Sequence, residues 1–282
     1  MQTPRGEPLM KHATVLALLL IAFAPLTNAQ ILEPDPGDFE WVLYPFGTAS
    51  VQGRSSTWES VQWLRNVGDI PLRVSNLRVP TLGPGQHEFL LQPDDTFFPQ
   101  LAGSAARYEG AYTFIERGAA DKLAFSLRVF ETSRTAGNPQ NHPGIEIPVF
   151  TEADLESRLT FLSVYPTPRH RVTLRVFDPE ITPGATVRIV VREQRHQGSI
   201  GDDILVSDQT LPLLEGFVRR ARPDGLVPEI PSQLRLNLDF SNVPTGKPYV
   251  VDVYSMTEGV GICGFITITD NVTQEVQIVT SD

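Results

Sequence analysis

Aromatic side chains are concentrated in one short part of the chain, where exposed rings could bind a ligand by stacking. Residues 41–63 contain all three Trp residues of the protein. An exposed aromatic platform on a β-sandwich is typical of carbohydrate-binding domains, so Trp41, Tyr44 and Trp58 are the candidate binding residues. The alternative is that these side chains pack in a hydrophobic core, which is the commoner role of aromatic residues.

The alternation of residues within this segment predicts which rings face outward. Trp63 lies two residues after Val61, so the two side chains share one face of a strand. That face is predicted to point inward because both residues are apolar. Trp58 has the opposite parity and is therefore predicted to be the exposed ring.

Residue patterns that are typical of enzymes and metal sites are missing from the sequence. The five His residues show no HExxH spacing, and a single Cys cannot form a zinc ribbon. The sequence has no GxSxG motif, no Walker phosphate loop and no GxGxxG that opens a helix. We therefore predict no catalytic residue, no metal and no cofactor, and we expect that the protein is not an enzyme.

Two acidic pairs, Asp94-Asp95 and Asp202-Asp203, are candidates for a catalytic or metal-binding role. Paired carboxylates can act in a glycosidase or can bind Ca²⁺ through their oxygens. Adjacent residues of a strand point to opposite faces, however, and no DxDxDG pattern surrounds either pair. Both pairs are predicted to be solvated acids in turns.

The N-terminus has the features of a secretory signal peptide, which we assign to residues 1–29. A short polar region at Lys11 precedes about a dozen apolar residues, fewer than the ~20 that a membrane-spanning helix needs. Thr27 and Ala29 are the small residues that precede a cleavage site, and translation could start at Met1 or Met10. We expect a secreted, periplasmic or extracellular protein, and no other apolar run is long enough to span a membrane.

The amino-acid composition indicates the kind of organism that encodes the protein and the class of partner that it binds. Only three of the 23 basic residues are Lys, which indicates the GC-rich coding bias of a bacterium. The formal net charge of -10 disfavours nucleic acid as a partner. Cys263 is the only cysteine, so no intramolecular disulfide can form, and its apolar neighbours Ile262 and Phe265 predict a buried, inert thiol.

Apolar and polar residues alternate with a period of two through most of the mature chain, which predicts β-strands. The clearest case is Leu234, Leu236 and Leu238, and Leu236 is predicted to be fully buried in a central strand. Two further alternating segments, 172–176 and 187–191, are joined by a turn-rich connection and predict an antiparallel hairpin.

Many short strands without a helical period predict an all-β protein with two tandem Ig-like β-sandwich domains. A polar segment rich in Pro and Gly at 137–144 reads as a linker. The first domain, with its linker, is assigned to residues 30–144 and the second to residues 145–282.

Several short motifs resemble those of an uncharacterised family of exported, β-rich bacterial proteins. They are 58–66 (WESVQWLRN), 144–149 (GIEIPV), 168–178 (PRHRVTLRVFD) and 264–280 (GFITITDNVTQEVQIVT). The family pattern has a bulky aromatic residue at the position of Gly264. The resemblance implies a secreted tandem β-sandwich protein and supplies no catalytic or ligand-binding residues.

The sequence therefore predicts a secreted or cell-envelope, non-catalytic β-sandwich protein with a binding or structural role. Its partner is unknown, and an extracellular protein and a polysaccharide are the two candidates. The second hypothesis is a carbohydrate-binding module that uses the aromatic cluster at 41–63. The third is an enzyme of unrecognised type that uses acids from the loop at 193–208.

Export generates the first testable prediction. The mature protein should begin at Gln30, because signal peptidase cleaves after small residues such as Thr27 and Ala29. N-terminal sequencing of the exported protein measures this directly. A cytoplasmic protein that retains Met1 or Met10 would contradict the assigned location.

Overall fold

Strands form in most of the segments whose side chains alternate between apolar and polar. The computed structural model describes residues 38–48, 51–52, 57–75, 88–98, 107–108, 110–131, 144–194, 204–220, 226–244 and 246–281. These residues belong to one compact unit. The signal peptide, its cleavage site, Asp202-Asp203 and the segment 137–143 lie outside them. Within the described residues the fold is all-β, with short 3₁₀ turns at Ala120–Lys122 and Glu152–Asp154 and no α-helix.

The first half of the chain contributes two antiparallel sheets. Its strands are β1 (Phe39–Tyr44), β2 (Gly47–Thr48), β3 (Val51–Gln52), β4 (Thr57–Asn66), β5 (Leu72–Ser75), β6 (Glu88–Leu91), β7 (Thr96–Phe97), β8 (Arg107–Tyr108), β9 (Ala111–Glu116), β10 (Leu123–Glu131), β11 (Ile145–Ile147) and β12 (Phe150–Thr151). Sheet 1 has the order β12-β1-β9-β5-β6, and sheet 2 has the order β11-β10-β4-β3 with β7 beside β4. Strands β2 and β8 form a separate pair.

The second half contributes two further antiparallel sheets. Its strands are β13 (Arg158–Val164), β14 (His170–Asp178), β15 (Thr186–Glu193), β16 (Ile204–Pro212), β17 (Phe217–Arg220), β18 (Leu226–Ile230), β19 (Ser232–Leu238), β20 (Tyr249–Ser255), β21 (Cys263–Asp270) and β22 (Val276–Thr280). Sheet 3 has the order β13-β20-β15-β16, sheet 4 has the order β19-β14-β21-β22, and β17 pairs with β18.

Each pair of sheets encloses a hydrophobic core. Sheets 1 and 2 bury the first core, to which Leu43 and Leu64 contribute, and sheets 3 and 4 bury the second, to which Leu174 and Val253 contribute. Strands β11 and β12 pair with β10 and β1, so the first pair of sheets extends to Thr151. The division into two independently folding domains at 144/145 stays a prediction.

The predicted hairpin between β14 and β15 is wrong, because the two strands lie in different sheets. Strand β14 pairs with β19 and β21, whereas β15 pairs with β16 and β20. The buried carboxylate of Asp178 accepts hydrogen bonds from the backbone N–H groups of Glu180 and Thr182, and Ile181 has a positive φ of 58°. These contacts turn the chain from sheet 4 to sheet 3. Both strands face the same core, so their alternation looks the same for a hairpin and for a crossover.

The predicted orientation of β4 is also wrong. Val61 is 40% exposed, whereas Leu64 is fully buried, so the even-numbered residues of this strand point inward. Trp63 therefore lies on the outer face of sheet 2 and Trp58 on the inner face. The reason is that the inner face of β4 carries polar residues among its apolar ones, which reversed the apparent alternation.

Two amides of the inner face of β4 are buried because backbone carbonyls accept their hydrogen bonds. The side-chain nitrogen of Gln62 donates to the carbonyl of Phe46 at 3.3 Å. The side-chain nitrogen of Asn66 donates to the carbonyls of Ile70 and Leu91 at 2.8 and 2.9 Å. The Asn66 amide, whose oxygen also accepts from the backbone N–H of Gly68, can therefore occupy a core position without a large desolvation cost. The Oε1 atom of Gln62 is buried and has no hydrogen-bond partner among the described residues, so this amide is only half satisfied.

Sheet 4 is covered on both of its faces at one end. Leu174 and Val176 of β14 point into the second core, while Phe177, Cys263 and Phe265 belong to the first core. The ring centroids of Phe177 and Phe265 stack 6.4 Å apart. Cys263 is fully buried, as predicted, and this burial raises the pKa of its thiol well above the usual range, which disfavours the reactive thiolate.

The predicted full burial of Leu236 is wrong, although its inward orientation is right. Leu236 is only partly buried against the second core, and Asn237 is exposed as expected. The physical reason is that β19 is the edge strand of sheet 4, so one side of Leu236 lacks a neighbouring strand. Its cross-strand partner Leu174, in the interior of the sheet, is fully buried.

This matched pair of leucines generates a stability prediction. Leu174→Ala should lower the free energy of unfolding by about 2–5 kcal/mol, because it leaves a closed cavity. Leu236→Ala should cost about 1–2 kcal/mol, because a half-buried side chain loses less apolar contact and its site can refill with water. Urea melts of the purified protein measure both. Equal losses would show that β19 is not an edge strand.

Candidate functional site

A cleft of about 570 Å³ opens where the inner face of sheet 2 meets the outer face of sheet 4. One wall is apolar, and the opposite wall is polar and cationic. The apolar wall contains Phe46, Trp58, Val129, Ile145 and Ile147. The other wall contains Arg171, Thr173, Arg175, Arg235, Phe265, Thr267, Thr269, Asn271, Gln274 and Val276. The volume falls within the range of small-ligand sites, about 300–1,000 Å³.

Strand register arranges the polar wall in rows. Thr173 of β14 lies opposite Thr267 of β21, and Arg171 lies opposite Thr269 in the same ladder. The Thr173 hydroxyl donates to the side-chain oxygen of Asn237 at 2.8 Å. Every second residue of a strand shares a face, so Arg171, Thr173 and Arg175 must point to the same side.

Two of the three arginines face each other across neighbouring strands. Arg175 of β14 is directly opposite Arg235 of β19, and cross-strand partners lie about 5 Å apart at Cβ. The residue Arg175 is only 8% exposed, and its guanidinium carbon lies 5.6 Å from the ring centroid of Phe46. This cation–π contact joins the two walls of the cleft. Arg235 and Arg171 are exposed, so their charges are accessible from the cleft mouth.

The turn that joins β21 to β22 forms one rim of the cleft. The Asp270 carboxylate accepts hydrogen bonds from the backbone N–H groups of Val272 and Thr273, and these bonds lower its pKa. The Gln274 side chain donates to the carbonyl of Asn271 at 2.9 Å, and Gln274 has a φ of 62°. Residues 271–274 (Asn-Val-Thr-Gln) therefore form a hydrogen-bonded turn, which places two amide side chains in the cleft lining.

The structure places the three predicted binding residues differently. Trp41 is 7% exposed and packs edge-on against Tyr112, with 6.2 Å between ring centroids. Tyr44 is fully buried, its hydroxyl donates to the carbonyl of Trp63 at 3.4 Å, and burial raises its pKa. Neither ring presents a face to solvent. Trp58 alone lines the cleft, and a binding role for these residues stays a prediction.

The cleft lining supplies binding groups and lacks groups that transfer protons. Among its described lining residues there is no Asp, Glu, His, Ser, Cys or Lys. Arginine stays protonated under all ordinary conditions, so it can hold an anion but cannot serve as a general base. This arrangement can bind and orient a ligand through charge, hydrogen bonds and an apolar wall.

The cationic residues of this cleft were missed by sequence analysis. Alternation with apolar residues places Arg175 and Arg235 on the side of a strand that is expected to face solvent. The signal that was present is the Arg-x-Thr-x-Arg spacing of Arg171, Thr173 and Arg175, which predicts one polar, charged face. The sequence does not show that residues of the first half cover this face.

A second charged cluster, on the outer face of sheet 3, is structural. The Asp252 carboxylate is 1% exposed and accepts hydrogen bonds from Arg158 at 2.7 Å, from Thr160 at 2.8 Å and from Arg192. Burial raises the pKa of this carboxyl, but these hydrogen bonds outweigh burial and hold the pKa below its usual range. The cluster joins three strands, and both oxygens of the carboxylate are already engaged.

The acids Asp94 and Asp95 are exposed at a turn, as predicted, and Asp94 pairs with Arg65 at 2.9 Å. Within the described part of the chain no group of three or more His, Cys, Asp or Glu side chains is positioned to hold a metal ion. The same residues contain no helix with the length and apolar character needed to cross a bilayer. No family model, curated protein or solved structure matches this chain.

Gly264 of β21 lies directly beneath the polar wall. It pairs with Val176, and a Cβ built on Gly264 would lie 2.4 Å from the carbonyl oxygen of Arg175. Real Cβ atoms do not approach a backbone oxygen so closely. The close approach of β14 and β21 therefore requires glycine at this position.

This contact generates a prediction about the floor of the cleft. Gly264→Ala should lower the free energy of unfolding by about 1–3 kcal/mol, because β14 must move away from the added methyl group. Gly68→Ala is the control, since its Cβ would lie 3.2 Å from the Lys122 Cβ and 3.3 Å from the Asn66 Oδ1 and would approach no backbone atom so closely. Thermal melts compare the two variants. A Gly264→Ala protein as stable as Gly68→Ala would contradict the close strand approach.

Proposed function

We propose that this chain is an exported, non-catalytic binding protein made of two tandem Ig-like β-sandwich domains. Its cleft binds a ligand that has an apolar face and carries negative charge. The sequence supports export through the signal peptide at residues 1–29. Two pairs of antiparallel sheets, each with its own core, support the tandem sandwich architecture.

The observation that carries this proposal is the presence of three arginines in one cleft of an acidic protein. The chain has a formal net charge of -10, so its overall field repels anions. Arg171, Arg175 and Arg235 reverse that field locally, opposite a wall of apolar side chains. Guanidinium groups bind carboxylates, sulfates and phosphates through paired hydrogen bonds. The described residues of the lining offer cationic, hydrogen-bonding and apolar groups, which supports a binding role.

The amphipathic anion anilinonaphthalene sulfonate (ANS) tests this function, because it combines an aromatic face with one negative charge. We expect ANS to bind the folded protein at a single site, and Arg235→Gln to weaken it about tenfold or more through loss of a charged hydrogen bond. Trp58→Ala should also weaken ANS, because it removes apolar surface from the opposite wall. ANS fluorescence titration gives the affinities, and circular dichroism checks that each variant retains its strands.

Two controls separate this site from general dye binding. Arg188→Gln makes the same charge change on the outer face of sheet 3, where Arg188 pairs with Asp208, and should leave ANS affinity unchanged. Phenylnaphthylamine, which lacks the sulfonate, should bind more weakly than ANS. Equal affinity of the Arg188→Gln and Arg235→Gln proteins for ANS would overturn the proposed function.

A further inference from the structure

We propose that the ligand of this cleft is an acidic oligosaccharide whose carboxylates contact two separate arginine positions along β14. The proposal rests on the anion-binding function assigned to the same cleft. It identifies the ligand class from two features of the walls: their opposite polarity and the spacing of their charges.

The two walls differ in polarity, and a sugar ring has matching faces. The C–H face of a pyranose ring is apolar and stacks on an aromatic side chain, which Trp58 supplies. The hydroxyl groups at the ring edge need hydrogen-bond donors and acceptors. The opposite wall provides these groups as the Thr267 and Thr269 hydroxyls and the Asn271 and Gln274 amides. A purely apolar acid, such as a fatty acid, would leave this polar wall without partners.

The arginines occupy two positions and not one. Arg175 and Arg235 form a cross-strand pair at one position, and Arg171 lies four residues away on the same face. At about 3.3 Å per residue, the two positions are about 13 Å apart along the strand. A ligand with two negative charges separated along its length can pair with both positions at once. A chain of uronic acid units repeats its negative charge along its length, so a single oligomer can reach both positions.

The floor of the cleft disfavours a peptide ligand. Strands β14 and β21 are interior strands, and each is hydrogen-bonded to neighbours on both sides. Their backbone groups are therefore used within the sheet, so an acidic peptide could pair only with the edge strands β19 and β22 and not with the strands that form the floor. A short acidic sugar engages side chains alone, which is what this wall presents.

The experiment is isothermal titration calorimetry of the full mature protein with uronate hexamers of three kinds: galacturonate, mannuronate and glucuronate. At least one hexamer should bind, and its methyl ester, which keeps the sugar and removes the charge, should bind about tenfold more weakly or not at all. Arg171→Gln and Arg235→Gln should each weaken the hexamer about tenfold, and Arg188→Gln should not. The corresponding monomer should lose affinity in Arg235→Gln and be insensitive to Arg171→Gln, because it occupies one position.

The outcomes separate this proposal from the function on which it rests. If ANS binds through Arg235 but none of the three hexamers binds, the cleft takes anions and the saccharide assignment is wrong. Equal binding of the hexamer and its ester, or binding of poly-glutamate as tight as that of the hexamer, overturns the assignment in the same way. If neither ANS nor any hexamer depends on Arg235, the anion-binding function itself fails.

Discussion

The double-sided burial of strands β14 and β21 is the constraint on which the rest of this structure depends. One face of these strands completes the second core with Leu174 and Val176, and the other face completes the first core with Phe177 and Phe265. The two cores are thus built around a shared pair of strands. The close contact between these strands explains why Gly264 has no side chain, since a Cβ there would collide with the opposite backbone.

The cleft follows from how the outer face of β14 changes along its length. At Phe177 that face is apolar and belongs to the first core, and at Thr173 and Arg171 it is polar and lines the cleft. Arg175 lies between the apolar and the polar part of this face, where it is buried and contacts the ring of Phe46. Arg175 and Arg235 are cross-strand partners, so two positive charges lie side by side at this point of the sheet.

The sequence predicts the strands well and their partners poorly, for a physical reason. Alternation reports which residues share a face, as at Leu236 and Asn237, but it does not report which sheet a strand joins. The segments 172–176 and 187–191 contribute to one core from two opposite sheets, and the same alternation would fit a hairpin. In β4 the side chains of Gln62 and Asn66 are buried, but because they are polar the sequence pattern predicts that their face points to solvent. Whether a strand lies at the edge or in the interior of its sheet decides how deeply its residues are buried. Leu236 is half-buried because its strand, β19, is at an edge.

The candidate site depends even more on contacts between distant segments, which sequence alternation does not report. Trp58 could be proposed from its residue type alone, whereas the cationic wall comes from residues more than 100 positions later in the chain. The arginines become a site only because the first half of the chain covers the face that carries them. Sequence alternation assigns that face to solvent, and only long-range packing reverses the assignment.

The residue types that line the cleft also determine how its affinity for an anionic ligand depends on pH and salt. No described lining residue titrates between acidic and neutral pH, and arginine remains charged throughout. The charge of the described cleft residues is therefore constant over this pH range. Affinity for a carboxylated ligand must then follow the ionisation of the ligand itself, falling only as its own carboxylates become protonated. Salt acts differently: it screens the exposed Arg171 and Arg235 more than the buried Arg175, so at high ionic strength Arg175 retains the larger share of the attraction.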